Sequence, residues 1–366
     1  MNLADTLNLG CLCRTLNPEH LRAQLETDPS LAGLTRQLAT SHPHLFSQTS
    51  VFLDAATRNK LARTVAAIER VIALPAYQVQ TLAQAPAIAR HDFGPAGVFM
   101  GYDFHMAEGG PRLIEINTNA GGALLNAALA RAHRVCCAAM TGLFDAATDV
   151  LGLDEVFVAM FRDEWLAQRG DAPLQTLLIV DDEPAAQYLA PEFTLARLLL
   201  RRHGITAEVA DPRELQWHGG RLWHPALPAG LAVDMVYNRL TDFDLSLPAH
   251  TALRTAYETG AVVLTPHPRA HALFADKRNL ITLGDDARLA RWGVADDDRR
   301  LLQAAIPATR QVTPENAEAL WAQRRHLFFK PAAGFGSRAA YRGDKLTRRV
   351  WGDITAGGYV AQDLVP

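Results

Sequence analysis

The stretch Gly101–Gly122, which reads GYDFHMAEGGPRLIEINTNAGG, decides how the rest of this chain is interpreted. It predicts two short strands joined by a Gly-Gly-Pro turn. Residues i and i+2 of a strand point to the same side, so Glu115 and Asn117 share a face, and an antiparallel return can place Asp103 beside them. Two carboxylates and an amide oxygen form an oxygen-only site, which suits Mg²⁺ better than zinc. A surface hairpin with a solvated acidic face is the alternative interpretation.

Composition places the chain among ordinary globular proteins. Its 366 residues suffice for two or three packed units, with 49% hydrophobic and 20% charged residues. The net charge of −3 gives no reason to expect nucleic acid or an anionic membrane as a partner. No apolar run reaches membrane-spanning length, and the first residues do not resemble a signal peptide, so a cytoplasmic location is expected. The four cysteines form a C-x-C and a C-C pair, which predicts buried or incidental thiols in a reducing cytosol.

Four segments follow one another along the sequence. Residues 1–90 are predicted to be helical, because apolar positions in Thr57–Leu74 recur at helical spacing. Residues 91–172 hold the hairpin and two amphipathic helices. Residues 173–260 and 261–366 each begin with an apolar strand.

The segment 173–260 predicts a parallel β-α-β unit. The run QTLLIVDDEP is typical of a buried parallel strand, and the helix Phe193–His203 and the strand Thr206–Ala210 follow it. Val233–Leu240 predicts another apolar strand, with Arg239 at its carboxyl end. Ligands collect at such strand ends, so Arg239 is a candidate anion contact, with a surface salt bridge as the alternative.

The segment 261–366 contains a lysine followed by a glycine-rich loop. A helix is predicted to contain residues 276–279, and residues 285–314 are predicted to form a linker. A strand then ends at Lys330 and enters a loop that contains Gly334, Gly336 and Ser337. Glycines let backbone N–H groups approach phosphate oxygens while a lysine supplies charge. The order is not that of a Walker A motif, and a plain hairpin turn is the alternative.

Taken together, these motifs resemble the ATP-grasp superfamily. The pattern Asp103 … Glu115-Ile-Asn117-Thr-Asn-Ala-Gly is similar to its metal-binding strands, Lys330–Ser337 to its phosphate-covering lid loop, and Val360–Val365 to its adenine hinge. Here the metal strands precede the lid and hinge, which resembles the circularly permuted order of eukaryotic-type glutathione synthetases. That family also has a strand ending in a Tyr-x-Arg pattern after the metal hairpin, as this chain does at Arg239. The resemblance spans residues 95–366. Glutathionylspermidine synthetases are a related possibility.

This resemblance implies a mixed α/β fold of the circularly permuted ATP-grasp type. The implied parts are a helical N-terminal region (1–90), metal-binding strands and helix (91–172), an inserted parallel β-α-β substrate domain (173–260), and the lid and hinge (261–366). Further strands are expected beyond Pro366, so that the last part is expected to be truncated. The implied activity is that of an ATP- and Mg²⁺-dependent ligase, which joins a small-molecule carboxylate to an amine (or thiol) through an acyl-phosphate.

The resemblance also assigns roles to individual residues. The expected Mg²⁺ ligands are Asp103, Glu115 and Asn117. The expected contacts to ATP are Lys277 and Lys330 with the α- and β-phosphates, Gly334, Gly336 and Ser337 over the triphosphate, Gln362 with the adenine amino group, and the Leu364 backbone with the ring. Arg239 is expected to hold the acceptor carboxylate.

Several positions depart from the glutathione synthetase pattern. Gly101 stands where that family has an arginine, and Ala120 and Gly122 stand where it has serines that hold the peptide substrate. The glycine loop also lacks an acidic metal ligand. These differences argue against glutathione as the product, and Arg338 is the candidate to replace the absent arginine.

Two other functions stay open at this point. One is a catalytically inactive ATP-grasp protein that binds nucleotide as a scaffold or regulator. The other is an ATP-grasp kinase that phosphorylates a small-molecule hydroxyl. In all three cases no nucleic acid or membrane partner is expected, and a homodimer is a candidate assembly that the sequence does not determine.

Overall fold

The computed structural model describes residues 3–10, 18–27, 38, 41–42, 44–47, 49, 51–136, 152–334 and 339–365. It has helices together with both parallel and antiparallel sheets, so the predicted mixed α/β class is confirmed. The helices are α1 (Leu3–Gly10), α2 (Pro18–Glu26), α3 (Ala55–Ile72), α4 (Pro75–Ala83), α5 (Ala123–Cys136), α6 (Leu153–Arg169), α7 (Ala190–Arg202), α8 (Thr251–Glu258), α9 (Pro268–Ala270), α10 (Asn279–Leu283), α11 (Asp286–Arg291), α12 (Asp296–Ala305), α13 (Ala317–Gln323) and α14 (Arg348–Thr355).

Within the described residues the strands form four separate sheets. They are β1 (Gly101–Ala107), β2 (Gly110–Asn117), β3 (Thr176–Val180), β4 (Thr206–Ala210), β5 (Gln216–His218), β6 (Arg221–Trp223), β7 (Met235–Asn238), β8 (Val263–Thr265), β9 (Thr309–Gln311), β10 (Leu327–Pro331), β11 (Tyr341–Arg342) and β12 (Tyr359–Asp363).

The chain forms two compact units, each assembled from three separate segments. Unit 1 comprises Met1–Asp54, Asp92–Phe99 and Asn119–His267, and unit 2 comprises Ala55–His91, Met100–Thr118 and Pro268–Pro366. The four-part division along the sequence stays a prediction.

Unit 1 is built on a parallel sheet in the order β4-β3-β7-β8. The predicted β-α-β unit is confirmed: β3 is buried throughout, α7 follows it, and Gly204, with a φ of +82°, ends the connection before β4. From β3 the chain continues to one side of the sheet, and from β7 it continues to the other. The order therefore reverses between β3 and β7, and Asp181 and Arg239 directly follow those two strands.

Unit 2 contains the β1–β2 hairpin and an antiparallel sheet in the order β11-β10-β12-β9. Its first hydrophobic core joins α3 to β2 and to α10–α12, through Ile68, Leu113, Ile116, Leu283 and Leu302. A second core covers one face of the antiparallel sheet and is drawn from residues 312–361 alone.

The predicted linker 285–314 is wrong, because most of it is helical. Asp285 caps α11 by accepting a hydrogen bond from the backbone N–H of Arg288. The acidic run Asp296–Asp298 fills the first turn of α12, where negative charge is favourable, and Leu302 is buried on its inner side. The charged run Asp296–Arg300 therefore belongs to a helix and not to a linker.

None of the helices in the described ranges is both long and apolar enough to cross a membrane. Of the four cysteines, Cys11, Cys13 and Cys137 lie outside the described residues, and Cys136 is the last residue of α5.

Candidate functional site

The β1–β2 hairpin brings the three predicted metal ligands together. Asp103 lies directly opposite Glu115 in the antiparallel register, and Asn117 lies opposite Gly101. The Asn117 amide Nδ2 donates a hydrogen bond to Asp103 Oδ2 at 3.1 Å. The predicted convergence of the three side chains is therefore observed, with the two carboxylates as cross-strand neighbours.

A bulge in β2 adapts the hairpin to the site. The register pairs Asp103 with Glu115 but Phe104 with Leu113, so Ile114 is an extra residue without a partner on β1. Strict alternation cannot bury both Leu113 and Ile116, and the added residue allows both to reach the core. At this bulge the carbonyl of Ile114 accepts a hydrogen bond from Lys330 Nζ at 2.9 Å.

Lys277 approaches the hairpin from a turn rather than from the helix that was predicted for residues 276–279. A π-helical turn ends at Ala275, and α10 begins at Asn279. Asp276 stabilises the intervening turn by accepting from the backbone N–H of Arg278 at 2.9 Å. Lys277 is only 6% exposed, and its ammonium donates to the Gly334 carbonyl at 2.7 Å and lies 3.5 Å from Glu115 Oε1.

Lys330 lies on β10 and is similarly buried, at 8% exposure. Besides the Ile114 carbonyl, its ammonium contacts Gln362 Oε1 at 3.0 Å and lies 5.6 Å from the centre of the Phe328 ring. No carboxylate comes within 4 Å of it in the part of the chain that the structure describes. Its hydrogen-bond partners are thus neutral oxygens.

These side chains surround a cavity of about 280 Å³, which we call the hairpin cavity. Of the predicted site residues, it is lined by Asp103, Glu115, Lys277, Lys330, Gly334, Gln362 and Leu364. Asn117 does not line it but is hydrogen-bonded to Asp103. All of these residues belong to unit 2.

The charges in the cavity influence one another. Burial, followed by the negative charge of Glu115, raises the pKa of Asp103 above its ordinary value. Burial lowers the pKa of Lys330 to about 8, with Glu115 opposing and Lys277 reinforcing the change. Among the described residues, the buried Lys330 therefore has no anion within 4 Å, whereas Glu115 lies 3.5 Å from the Lys277 ammonium.

The predicted hinge residues already have internal hydrogen bonds. Gln362 accepts from Lys330 and donates through Nε2 to Thr309 Oγ1 at 3.3 Å. The Leu364 N–H donates to the His326 carbonyl at 2.8 Å. Their roles toward adenine stay predictions.

Arg239 belongs to unit 1, in a different setting. It is 7% exposed and donates through Nη1 to the Ala120 carbonyl at 3.1 Å and to the Tyr237 hydroxyl at 3.3 Å. Nearby, burial raises the pKa of Asp181 to about 7, while the positive charge of Arg239 opposes that rise. The predicted residues Gly336, Ser337 and Arg338 lie outside the described residues.

Sequence reasoning missed His105 and Phe328, which are among the further residues that line the hairpin cavity. Both were within reach of the alternation rule, since His105 is two residues beyond Asp103 and Phe328 is two residues before Lys330. Ile114 and Thr309 were not, because their parts depend on the bulge and on the pairing of β9 with β12.

Among the described residues, no group of three or more His, Cys, Asp or Glu side chains is placed to hold a metal ion. The hairpin offers two carboxylates and an amide. A cation there would therefore depend on Asn117 and on oxygens from a ligand or water.

Comparison with known proteins supports the fold. No protein family model matches the sequence, and no curated protein matches it. A glutathione synthetase-like effector from Globodera pallida, solved without ligand, matches with a TM-score of 0.56 at 12% identity, covering 96% of this chain and 82% of that chain. The chain shares the fold of that effector. A protein provisionally named gamma-glutamylcysteine synthetase from Methylobacillus flagellatus matches with a TM-score of 0.45 at 13% identity, covering 85% of this chain and 75% of that chain.

The coarse prediction of a glutathione synthetase-like fold is therefore confirmed. The circular permutation and the inserted substrate domain stay predictions.

Proposed function

We propose that this protein is an ATP- and Mg²⁺-dependent carboxylate–amine ligase, which forms an amide through an acyl-phosphate. The observation that carries the proposal is the hairpin cavity, in which two buried lysines face two cross-strand carboxylates. A buried ammonium is costly without a nearby anion, and Lys330 has only neutral hydrogen-bond partners. The phosphates of a nucleotide would supply the negative charge that this lysine lacks.

The donor set also fits Mg²⁺. Asp103, Glu115 and Asn117 offer oxygen atoms only, and Mg²⁺ commonly binds through one or two carboxylates together with substrate phosphates and water. Burial, followed by the adjacent negative charge of Glu115, raises the pKa of Asp103, and a divalent cation would stabilise both carboxylates in their charged form. When bound, the ion would neutralise charge on the phosphates during phosphoryl transfer.

The proposed roles of the chain's own residues follow from their positions. A carboxylate substrate is a poor electrophile until one oxygen becomes a phosphate, which is a better leaving group. Lys277 and Lys330 would hold the nucleotide phosphates so that the γ-phosphoryl group faces the substrate. Gly334 begins the glycine loop that, with Gly336 and Ser337, is proposed to cover the triphosphate and exclude water.

Unit 1 is proposed to bind the substrates. In open parallel sheets, ligands bind at the carboxyl ends of strands where the order reverses, which here is between β3 and β7. Arg239 at the end of β7 would hold a substrate carboxylate, and Asp181 at the end of β3 could accept a hydrogen bond from an amine. Arg338 stays the candidate to replace the arginine absent at Gly101.

One observation favours a second candidate, a nucleotide-binding protein without ligase activity. Gln362 and the Leu364 N–H are already hydrogen-bonded inside unit 2, and Lys277 is paired with Glu115. If these groups keep their internal bonds when a nucleotide is bound, they are not available to orient it, and its γ-phosphoryl group would not be positioned for transfer to a substrate.

The test is carboxylate-dependent release of ADP, with the acyl-phosphate trapped by hydroxylamine as a hydroxamate. Glu115→Gln and Asn117→Ala are expected to lower turnover by about 10²–10³-fold, because each removes an oxygen proposed to hold the Mg²⁺ that would stabilise the charge developing on the phosphates. Glu108→Gln, at the exposed hairpin turn, is the matched control and should keep full activity.

Each other outcome has a definite meaning. Unchanged turnover in both site variants contradicts the metal assignment. ATP binding without turnover across mixtures of carboxylates and amines supports the second candidate. A phosphorylated product that appears without release of phosphate indicates a small-molecule kinase.

A further inference from the structure

A concentration of positive charge lies in unit 2, within the segment that forms the antiparallel sheet and its helices. From Thr309 to Thr355 the sequence has nine Lys or Arg residues and four Asp or Glu residues, in a chain whose net charge is −3. Phe329 and Ala361 pack against Trp351 and the neighbouring helices, whereas the adjacent Lys330 and Gln362 line the hairpin cavity. The helices α13 and α14 therefore cover the sheet face opposite the cavity.

Trp321, on α13, organises part of this charge. The guanidinium carbons of Arg324 and Arg348 each lie 4.1 Å from the centre of its ring. Arg324 also donates through Nη1 to the Trp321 carbonyl at 2.9 Å. Stacking on an aromatic ring uses the flat face of a guanidinium group and leaves N–H groups at its edge for other acceptors.

Tight backbone packing brings further cations to the same place. The helical turn Arg324–His326 contacts the turn Gly343–Lys345, and a side chain at Gly343 would collide with the Arg324 carbonyl. We define the basic cluster as the five cations of these turns and of the first turn of α14. They are Arg324, Arg325, Lys345, Arg348 and Arg349, all exposed except the partly buried Arg324.

Within the described part of this segment, the cations of the basic cluster do not form ion pairs with carboxylates. Over residues 309–334 and 339–365, ion pairs join Arg310 to Asp363 and Arg342 to Asp344, but no carboxylate lies within 4 Å of a cluster member. Arg348 and Arg349 also occupy the N-terminal turn of α14, where the helix dipole disfavours cations. An external anion would offset both the mutual repulsion of the cluster cations and their unfavourable interaction with the helix dipole.

We propose that the basic cluster binds an acidic segment of a partner protein. Arginine edges match the paired oxygens of Asp and Glu side chains, and two arginines are already oriented by Trp321. Single-stranded nucleic acids bind largely by stacking bases on open aromatic rings. The Trp321 ring already contacts two guanidinium groups and, at 5.4 Å between ring centres, Trp351, so it offers no such platform.

The test is fluorescence anisotropy of a short labelled polyglutamate peptide with the full chain. Binding is expected at low ionic strength and should weaken as salt rises from about 50 to about 200 mM, because exposed charges are screened. The double variant Arg325→Gln/Arg349→Gln should lose about tenfold in affinity, at less than 1 kcal/mol for each exposed pair.

The matched control is Arg58→Gln/Arg291→Gln, which removes the same charge from exposed arginines on α3 and α11. It should bind the peptide as the parent chain does, and both double variants should keep the parent melting temperature. Equal loss in the two double variants, or no binding at low salt, overturns the proposal. Tighter binding of an oligothymidylate than of polyglutamate overturns it in favour of nucleic acid.

The proposal does not depend on the ligase function. Lys330→Met alters the hairpin cavity on the opposite face of the sheet and should leave peptide binding unchanged. Loss of peptide binding in that variant would contradict a separate site.

Discussion

Lys330 is 8% exposed, and its ammonium group contacts two neutral oxygens. Burial lowers its pKa to about 8, so the free protein loses this positive charge as the pH rises through that value. Affinity for an anionic nucleotide should therefore be fully present below about pH 8 and fall above it, by about tenfold at one unit higher.

Calorimetric titration with ADP at about pH 7 and about pH 9 would measure this change. Lys330→Met should bind more weakly at both values and show no such dependence. An equal pH response in the parent chain and the variant would mean that another group is responsible.

Residues that carry their chemistry in a local pattern were predictable at this scale. Asp103, Glu115 and Asn117 were identified from period two along a hairpin, and the structure brings them together. The bond between Gln362 and Lys330 was not predictable, because it depends on the pairing of β10 with β12. Sequence spacing carries no information on such a contact between strands that are distant along the chain.

At the scale of elements, the junction of the turns 324–326 and 343–345 depends on one glycine. A Cβ at Gly343 would lie 1.9 Å from the Arg324 carbonyl oxygen and 2.7 Å from its carbon, and backbone atoms cannot move aside cheaply. Gly343→Ala is therefore expected to destabilise the protein by about 1–3 kcal/mol.

Gly352 provides the matched control within the same segment. It lies inside α14, and a Cβ there would meet nothing within 4 Å. Gly352→Ala should stabilise by about 0.5–1 kcal/mol, because alanine loses less backbone entropy in a helix. Urea unfolding of both variants measures the difference, and shifts of the same sign would contradict the packing of the two turns.

Elements with a strong periodic pattern of apolar residues were predicted well. Elements whose geometry depends on individual side-chain hydrogen bonds or on tertiary burial were not. The strand 206–210 has the predicted bounds because its partner β3 is a buried apolar run. The Asp276–Arg278 turn was mistaken for helix, since its geometry comes from one aspartate that accepts a backbone hydrogen bond. The bulge at Ile114 left no local signal, because it is set by burial of Leu113 and Ile116 together.

At the scale of the molecule, unit 2 contains two cores with different origins. One joins α3 and β2 to residues 273–306, and the other lies within residues 312–361. Leu113→Ala should cost about 2–5 kcal/mol and raise hydrogen exchange in α3 and α12 together, with little change in β10 and β12.

The reciprocal variant is Phe329→Ala, in the second core. Phe329 is as completely buried as Leu113, at 0% exposure, but should raise exchange in β10, β12 and α14. Mass spectrometry of exchanged peptides distinguishes the two patterns. Identical patterns for the two variants would show that unit 2 unfolds as a single core.

The interleaving of the two units has a consequence for synthesis on the ribosome. The apolar sides of α3 and β2 emerge early, yet Leu273 and Leu302, which cover them, follow roughly 150 or more residues later. At about 5–20 residues per second, that interval is on the order of 10–30 s. During this interval the nascent chain exposes an apolar surface whose native partners have not yet been synthesised. We therefore expect chaperones to bind the nascent polypeptide. We also expect slow codons after residue 118 to increase its aggregation.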